Sequence, residues 1–197
     1  ESPIRFSEIY DGEICDATVQ PEIWKPVCTA ESPTDRLIPQ EGEEIREKEA
    51  VMAKAVFTTP AGETVVDFGQ EVTGYVEISV NAHTGDRIRF QHGEVLDRDG
   101  NFYRDNYRSA KAETVYICSE GKQTWHPTLT FFGFRYIKLL EFPGEAKPEN
   151  FRAIVVYSDI RQSGRIRCGR PEIDQLISNI FWGQKSNFLD VPTDCPQ

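Results

Sequence analysis

The sequence has no apolar run near the length of a membrane span, and no basic stretch followed by an apolar one at its N-terminus. A helix that crosses a bilayer needs roughly 20 apolar residues in a row, so no membrane partner is expected, and no secretory leader is visible. The first residues are Glu1-Ser2-Pro3, without an initiator Met. The expectation is a chain that starts inside a larger gene product or after processing, which leaves the compartment open between cytoplasm, periplasm and exterior. Runs of Lys and Arg are also missing, and 32 acidic residues against 22 basic ones give a formal net charge of -10. Such a surface repels phosphate backbones, so nucleic acid is not an expected partner. Internal repeats and low-complexity tracts are absent. Hydrophobic residues make up 39% and charged residues 27% of the 197 positions, an ordinary balance for a chain that buries a core.

Familiar chemical motifs are scarce as well. Of the five cysteines (Cys15, Cys28, Cys118, Cys168 and Cys195) no two stand at C-x-x-C spacing, so the reading is burial as small apolar side chains rather than a zinc knuckle or redox pair. His83, His92 and His126 form no pair two or four residues apart; no metal site and no cofactor is expected. There is no Gly-x-Ser-x-Gly elbow. Asp97-x-Asp99-Gly100-Asn101 looks like part of a calcium loop, but the glycine comes too early and Arg108 stands where the closing Glu should be, so it reads as a hairpin turn. Asp67-Phe68-Gly69-Gln70 with Gly74 opens no helix and so cannot cradle phosphate; it reads as a turn or bulge between strands. Carboxylate pairs that could serve a glycosidase are easy to find among so many acids, and are therefore uninformative. Trp125, Phe131, Phe132, Phe134 and Tyr136 cluster in sequence; core packing is the favoured reading and sugar stacking the alternative.

What is present is strand pattern. Residues 1–38 are polar and punctuated by Pro3, Pro21, Pro26 and Pro33, with Pro39 following, which forbids a long helix; Ile4, Phe6, Ile9 and Tyr10 supply one short strand. From about Ala50 short strands are predicted over 51–57, 63–67, 75–80, 87–91, 113–118, 124–130, 134–140, 151–158 and 163–168. Val76, Ile78 and Val80 alternate with polar residues, as do Ile88 and Phe90, and these five are predicted to face a core. Many short strands without intervening helices indicate an all-β sandwich. Pro171 then opens a predicted amphipathic helix with Ile173, Leu176, Ile177, Ile180 and Phe181 on one face, ending over 187–192.

Four segments carry the reading further. Ile9-Tyr10-Asp11-Gly12-Glu13-Ile14-Cys15-Asp16-Ala17, Asp67-Phe68-Gly69-Gln70 with Gly74, Thr130-Phe131-Phe132-Gly133-Phe134-Arg135-Tyr136 and Thr193-Asp194-Cys195-Pro196-Gln197 occur in this order. Gly93-Glu94-Val95-Leu96 and Asn106-Tyr107-Arg108-Ser109-Ala110 accompany them. Together they resemble the bacterial α-L-rhamnosidases, inverting glycoside hydrolases, along nearly the whole chain. Cys15, Glu71 and Thr73 depart from that pattern, where an aromatic residue, Asn and Ala are usual.

The resemblance implies a modular enzyme in which β-sandwiches precede an (α/α)6 barrel that removes terminal α-L-rhamnose with inversion. On it, 1–38 is the tail of a preceding sandwich with its linker, 39–149 a concanavalin-like or jelly-roll sandwich, and 150–197 a linker and the first helix of a truncated catalytic domain. Asp194 matches the family's first active-site aspartate, which binds the sugar. The general acid and the second catalytic carboxylate lie beyond Gln197 in the family pattern, so no catalytic residue is assigned in this chain. The implied partners are a rhamnosyl glycoside and the remaining catalytic domain of the same protein. A carbohydrate-binding module and an interdomain scaffold stand as alternatives.

Overall fold

The computed structural model describes residues 2–19, 26–32 and 34–196. Pro21, Pro33 and Gln197 lie outside these residues. The described strands are β1 (Ile4–Glu8), β2 (Gly12–Asp16), β3 (Ile45–Met52), β4 (Ala55–Thr58), β5 (Thr64–Ala82), β6 (Arg87–Gly93), β7 (Glu113–Ile117), β8 (Gly121–Trp125), β9 (Phe132–Glu141) and β10 (Phe151–Ser158). The helix α1 (Pro171–Ser186) follows, and then a small ribbon of β11 (Phe188–Leu189) and β12 (Val191–Pro192).

Ten strands share one hydrogen-bonded sheet in the order β1-β2-β7-β6-β9-β5-β10-β3, with β4 and β8 each paired to β5. Its pairs are antiparallel except β2 with β7. β5 is the hinge of the architecture. Its first half pairs with β4 and β9, its second half with β10 and β8, so one strand passes through both walls and the sheet curls into a half-barrel. The molecule is the all-β sandwich with one C-terminal helix that the strand pattern indicates.

Several expected boundaries change. Residues 63–67 and 75–80 are one continuous strand, not two, because Asp67-Phe68-Gly69-Gln70 forms a bulge: the β5–β9 register shifts between Asp67 and Val72, and the Gly69 N–H donates to the Asp67 carboxylate at 2.6 Å. A bulge bends and twists a strand without ending it. Second, 51–57 splits at Ala53-Lys54 into β3 and β4, while the N-terminal stretch holds a hairpin of two strands rather than one. Third, 163–168 is not a strand; its alternating residues find no partner, and Ile166 is exposed. The strand predicted over 124–130 ends at Trp125.

The core lies between the walls. Phe68, Phe90, Phe134, Phe151, Ile78, Ile88 and Ile137 are fully buried, each such side chain contributing about 1.5–3 kcal/mol by leaving water. Val76 and Val80 also face inward, as their alternation requires. Phe68 and Phe134 meet edge to face with centroids 5.5 Å apart. His92 is wholly buried among Phe90, Phe132 and Phe134. Its Nδ1 sits 2.8 Å from the Ala112 carbonyl, and burial drives its pKa down to about 3, so it is a neutral core residue. His126 follows β8 and stacks on Tyr75 at 4.7 Å. All five cysteines are free thiols: Cys15 and Cys118 are buried, as expected, whereas Cys28, Cys168 and Cys195 are exposed. The exposed three lie on surface segments outside the strands, where the sheet has no interior to offer them.

The helix docks by its end only. Trp182 packs against the core, Ser186 is buried and the Thr73 hydroxyl donates to the Ser186 carbonyl at 2.9 Å; Lys185 pairs with Glu49. Of the predicted apolar face, Ile177 and Phe181 are half-buried, while Ile173, Leu176 and Ile180 are exposed, Leu176 by 56% and Ile180 by 59%.

Candidate functional site

The fold brings the resembling segments together. Asp194 follows the β11–β12 ribbon, which Asp190 turns at a positive φ of 68°. The Asp190 N–H donates to the Ser158 hydroxyl at 2.8 Å and Gln40 donates to its carboxylate at 2.8 Å. Leu189 is buried, and the Thr193 N–H donates to the Asn187 carbonyl at 2.8 Å. The chain then runs onto β9. A side chain at Gly133 would collide with the backbone of Pro196, so glycine at 133 is what allows residues 193–196 to lie directly on the strand. Beneath, the Tyr107 hydroxyl donates to the Gly133 carbonyl.

A cleft of about 340 Å³ opens beside this contact, bordered by Ile9, Tyr10, Tyr107, Phe131 and Asp194. That volume is at the lower end of small-molecule sites, roughly 300–1,000 Å³. Asp194 is exposed and is the only carboxylate among the described residues of its lining. Sequence reading singled out Asp194 alone. Tyr10 was read as part of a short strand and Phe131 as part of the aromatic cluster, while Tyr107 stood in its segment without a role, since nothing local shows that residues as far apart as Tyr10 and Asp194 share one cavity.

One wall of the cleft is anchored by Glu13, which no single-sequence signal distinguishes from the other acids. Its carboxylate is fully buried and accepts from the backbone N–H groups of Thr128, at 3.1 Å, and Leu129, at 2.9 Å. The Thr130 hydroxyl reaches the carbonyls of Glu8 and Ile9. The loop 126–131 is thereby stapled to the β1–β2 hairpin.

Behind the floor lies a buried polar cluster. Burial, and then the neighbouring charge of Glu94, push Glu71 up to about 9; burial also raises Glu94, against a hydrogen bond from Asn106. One Glu71 oxygen and the Asn106 amide oxygen are buried without a hydrogen-bond partner. Tyr107 is raised by burial and by both carboxylates. At the cluster's edge, burial works against the charge of Asp67, but two hydrogen bonds from Arg135, at 2.9 and 3.0 Å, hold it below the usual carboxylate range. At neutral pH the cluster therefore holds a protonated Glu71.

The aromatic cluster resolves mostly as core. Phe132, Phe134 and Tyr136 are buried and Trp125 stacks on Tyr116 at 4.6 Å; Phe131 and the buried Phe132 line the cleft. Asp97-x-Asp99-Gly100-Asn101 is a turn, closed by a 2.8 Å bond from the Asp97 N–H to the Asn101 carbonyl and the Leu96–Phe102 bridge.

Comparison with known proteins agrees with this geometry. Residues 57–157 match the bacterial α-L-rhamnosidase concanavalin-like domain, and residues 161–197 the bacterial α-L-rhamnosidase six-hairpin glycosidase domain. An α-L-rhamnosidase of Formosa agariphila is 35% identical over all of this chain, which spans 23% of that protein. One from Streptomyces avermitilis is 32% identical over 98% of the chain, which spans 20% of it. Among solved structures, the native α-L-rhamnosidase from Aspergillus terreus superposes with a TM-score of 0.91 at 36% identity, over 100% of this chain and 24% of that one. The Streptomyces avermitilis enzyme, complexed with L-rhamnose, superposes at 0.88 with 32% identity, over 99% and 20%. The chain thus spans a fifth to a quarter of these relatives' length. With a concanavalin-like domain model running from the end of β4 into β10, over half of the chain, and a glycosidase domain model starting just after β10, this chain belongs to the bacterial α-L-rhamnosidase family.

Proposed function

We propose that the chain is the non-catalytic sandwich portion of an enzyme that removes terminal α-L-rhamnose from glycosides with inversion, and that it is hydrolytically silent alone. The observation that carries this reading is the cleft where residues 193–196 lie on β9, with one carboxylate in its described lining. Inverting hydrolysis needs a general acid and a general base about 6.5–9.5 Å apart with a water between them. Asp194 alone can accept hydrogen bonds from sugar hydroxyls; with no second carboxyl opposite, it has no partner to divide acid and base roles. The sandwich then serves to hold the segment that carries Asp194.

The division into 1–38, 39–149 and 150–197 is part of this proposal. Within the proposed third segment, β10 is hydrogen-bonded between β3 and β5, and the proposed linker to the catalytic domain is the part of that segment after β10. The exposed face of α1 fits the remaining catalytic domain as its partner. Incubation of the chain with an aryl α-L-rhamnoside is expected to release no phenol beyond a boiled control; sustained turnover would refute the silent-fragment reading. The carbohydrate-binding alternative keeps one supporting observation, the aromatic edge that Tyr10 and Phe131 give the cleft.

A further inference from the structure

The turn that carries Tyr10 is unusual in pairing exposure with rigidity. Tyr10 is 65% exposed, yet its backbone is tied on every side. Its N–H and that of Asp11 donate to the Glu8 carboxylate at 2.8 and 2.7 Å. Its carbonyl accepts from the Ala112 N–H at 3.0 Å, and the Asp11 carbonyl from the Glu113 N–H at 3.1 Å. Lys111 pairs with the Asp11 side chain at 2.6 Å. Gly12, at a φ of 113°, lies so close to β7 that a Cβ would collide with the Glu113 carbonyl. Glu13, next in sequence, fixes the loop that presents Phe131. This is a large aromatic surface placed in advance, so little ordering entropy is lost when something stacks on it.

Asp194 lines the same cleft, and its carboxylate makes no hydrogen bond to the described residues. A pyranoside has the two chemistries this cleft offers partners for: hydroxyls that donate to a carboxylate and a C–H face that lies on an aromatic ring. We propose that the β1–β2 hairpin tip is a sugar-binding subsite, with Tyr10 as the stacking platform, Phe131 as its flank and Asp194, in the same lining, as the hydroxyl acceptor. The proposal deepens the functional reading above and rests on it for the identity of the sugar. It also accounts for the whole Tyr10-Asp11-Gly12-Glu13 segment, since Tyr10 touches the sugar and the other three hold that ring in place.

The test is a titration of the 197-residue chain, labelled with ¹⁵N, with methyl α-L-rhamnopyranoside, read at the amides of Tyr10, Asp11, Phe131 and Asp194. Saturable shifts are expected at these amides. Tyr10→Phe, which keeps the ring, is expected to bind within about twofold of the parent chain, and Tyr10→Ala about tenfold more weakly, a stacking-sized loss. Since Tyr10 is exposed, both variants are expected to keep the dispersed amide spectrum of the folded sheet. Absence of saturable shifts in the unsubstituted chain, or unchanged affinity in Tyr10→Ala, would overturn the proposal. Asp194→Asn separates the two readings. If it binds normally while Tyr10→Ala does not, the platform stands and the role assigned to Asp194 falls. Turnover of an aryl rhamnoside by the chain would refute the silent-fragment reading and leave the platform where the titration puts it.

Discussion

Glu71 is the residue at which sequence and physics disagree most openly. It sits where the family pattern usually has Asn, and it is largely buried beside Glu94 with one oxygen unpaired. A carboxyl whose pKa is raised on folding favours the native state below its unfolded value, about 4.5, and loses that contribution as pH rises to its folded value, about 9. Stability is therefore expected to fall across this window for this group. Glu71→Gln removes the ionisation while keeping the size and shape of the side chain. It is expected to raise stability at pH 8 by about 1–3 kcal/mol and to have little effect near pH 4. Urea unfolding of both proteins at the two pH values measures the difference directly, and the contributions of acids that do not interact with Glu71 cancel in it. An equal shift at both pH values would mean that packing, not the proton, is responsible.

At the scale of elements, the staple between the N-terminal hairpin and the loop 126–131 is the link on which the cleft depends. Glu13→Ala leaves the Thr128 and Leu129 N–H groups without their acceptor, at an expected cost of about 2–4 kcal/mol. Thermal unfolding is expected to show the loss, and hydrogen exchange is expected to show it first at 128–131, with β5 and β9 protected as before. The same elements show what a sequence can carry. Strands that alternate over their own length were legible: β6 and the second half of β5 follow from Ile88, Phe90, Val76 and Ile78 alone. The 19-residue length of β5 was not, because Gly69 and Gly74 punctuate it as turns would, and only pairing with β9 and β10 carries the strand through them. The opposite error at 163–168 has the same origin: alternation there is real, but no neighbour is present to use it. The candidate site was legible as separate segments and not as a cavity. Tyr10, Tyr107, Phe131 and Asp194 are joined by tertiary contacts that no local pattern encodes, and Glu13 became distinguishable only once its bonds to the Thr128 and Leu129 backbone were visible.

Across the whole molecule, apolar surface is distributed unequally, and that distinguishes what holds this fold from what the fold holds out. The half-barrel buries a core of its own, while α1 presents Ile173, Leu176 and Ile180 to solvent and is held at its C-terminal end through Trp182, Lys185 and Ser186. Amphipathic helices normally bury such a stripe, and this one does not lie on its own sheet. The sandwich should then be indifferent to the stripe. The double substitution Leu176→Glu with Ile180→Glu is expected to shift unfolding by no more than about 0.5 kcal/mol, as exposed positions do. Phe90→Ala, by contrast, empties a fully buried position and is expected to cost about 3–5 kcal/mol. Differential scanning calorimetry of the three proteins decides between the two assignments of the helix. If the glutamates destabilise the chain as Phe90→Ala does, the stripe belongs to the sandwich core. If they leave the transition in place and reduce concentration-dependent self-association in sedimentation, the stripe is a surface reserved for a neighbouring domain, as the catalytic-domain reading of α1 requires.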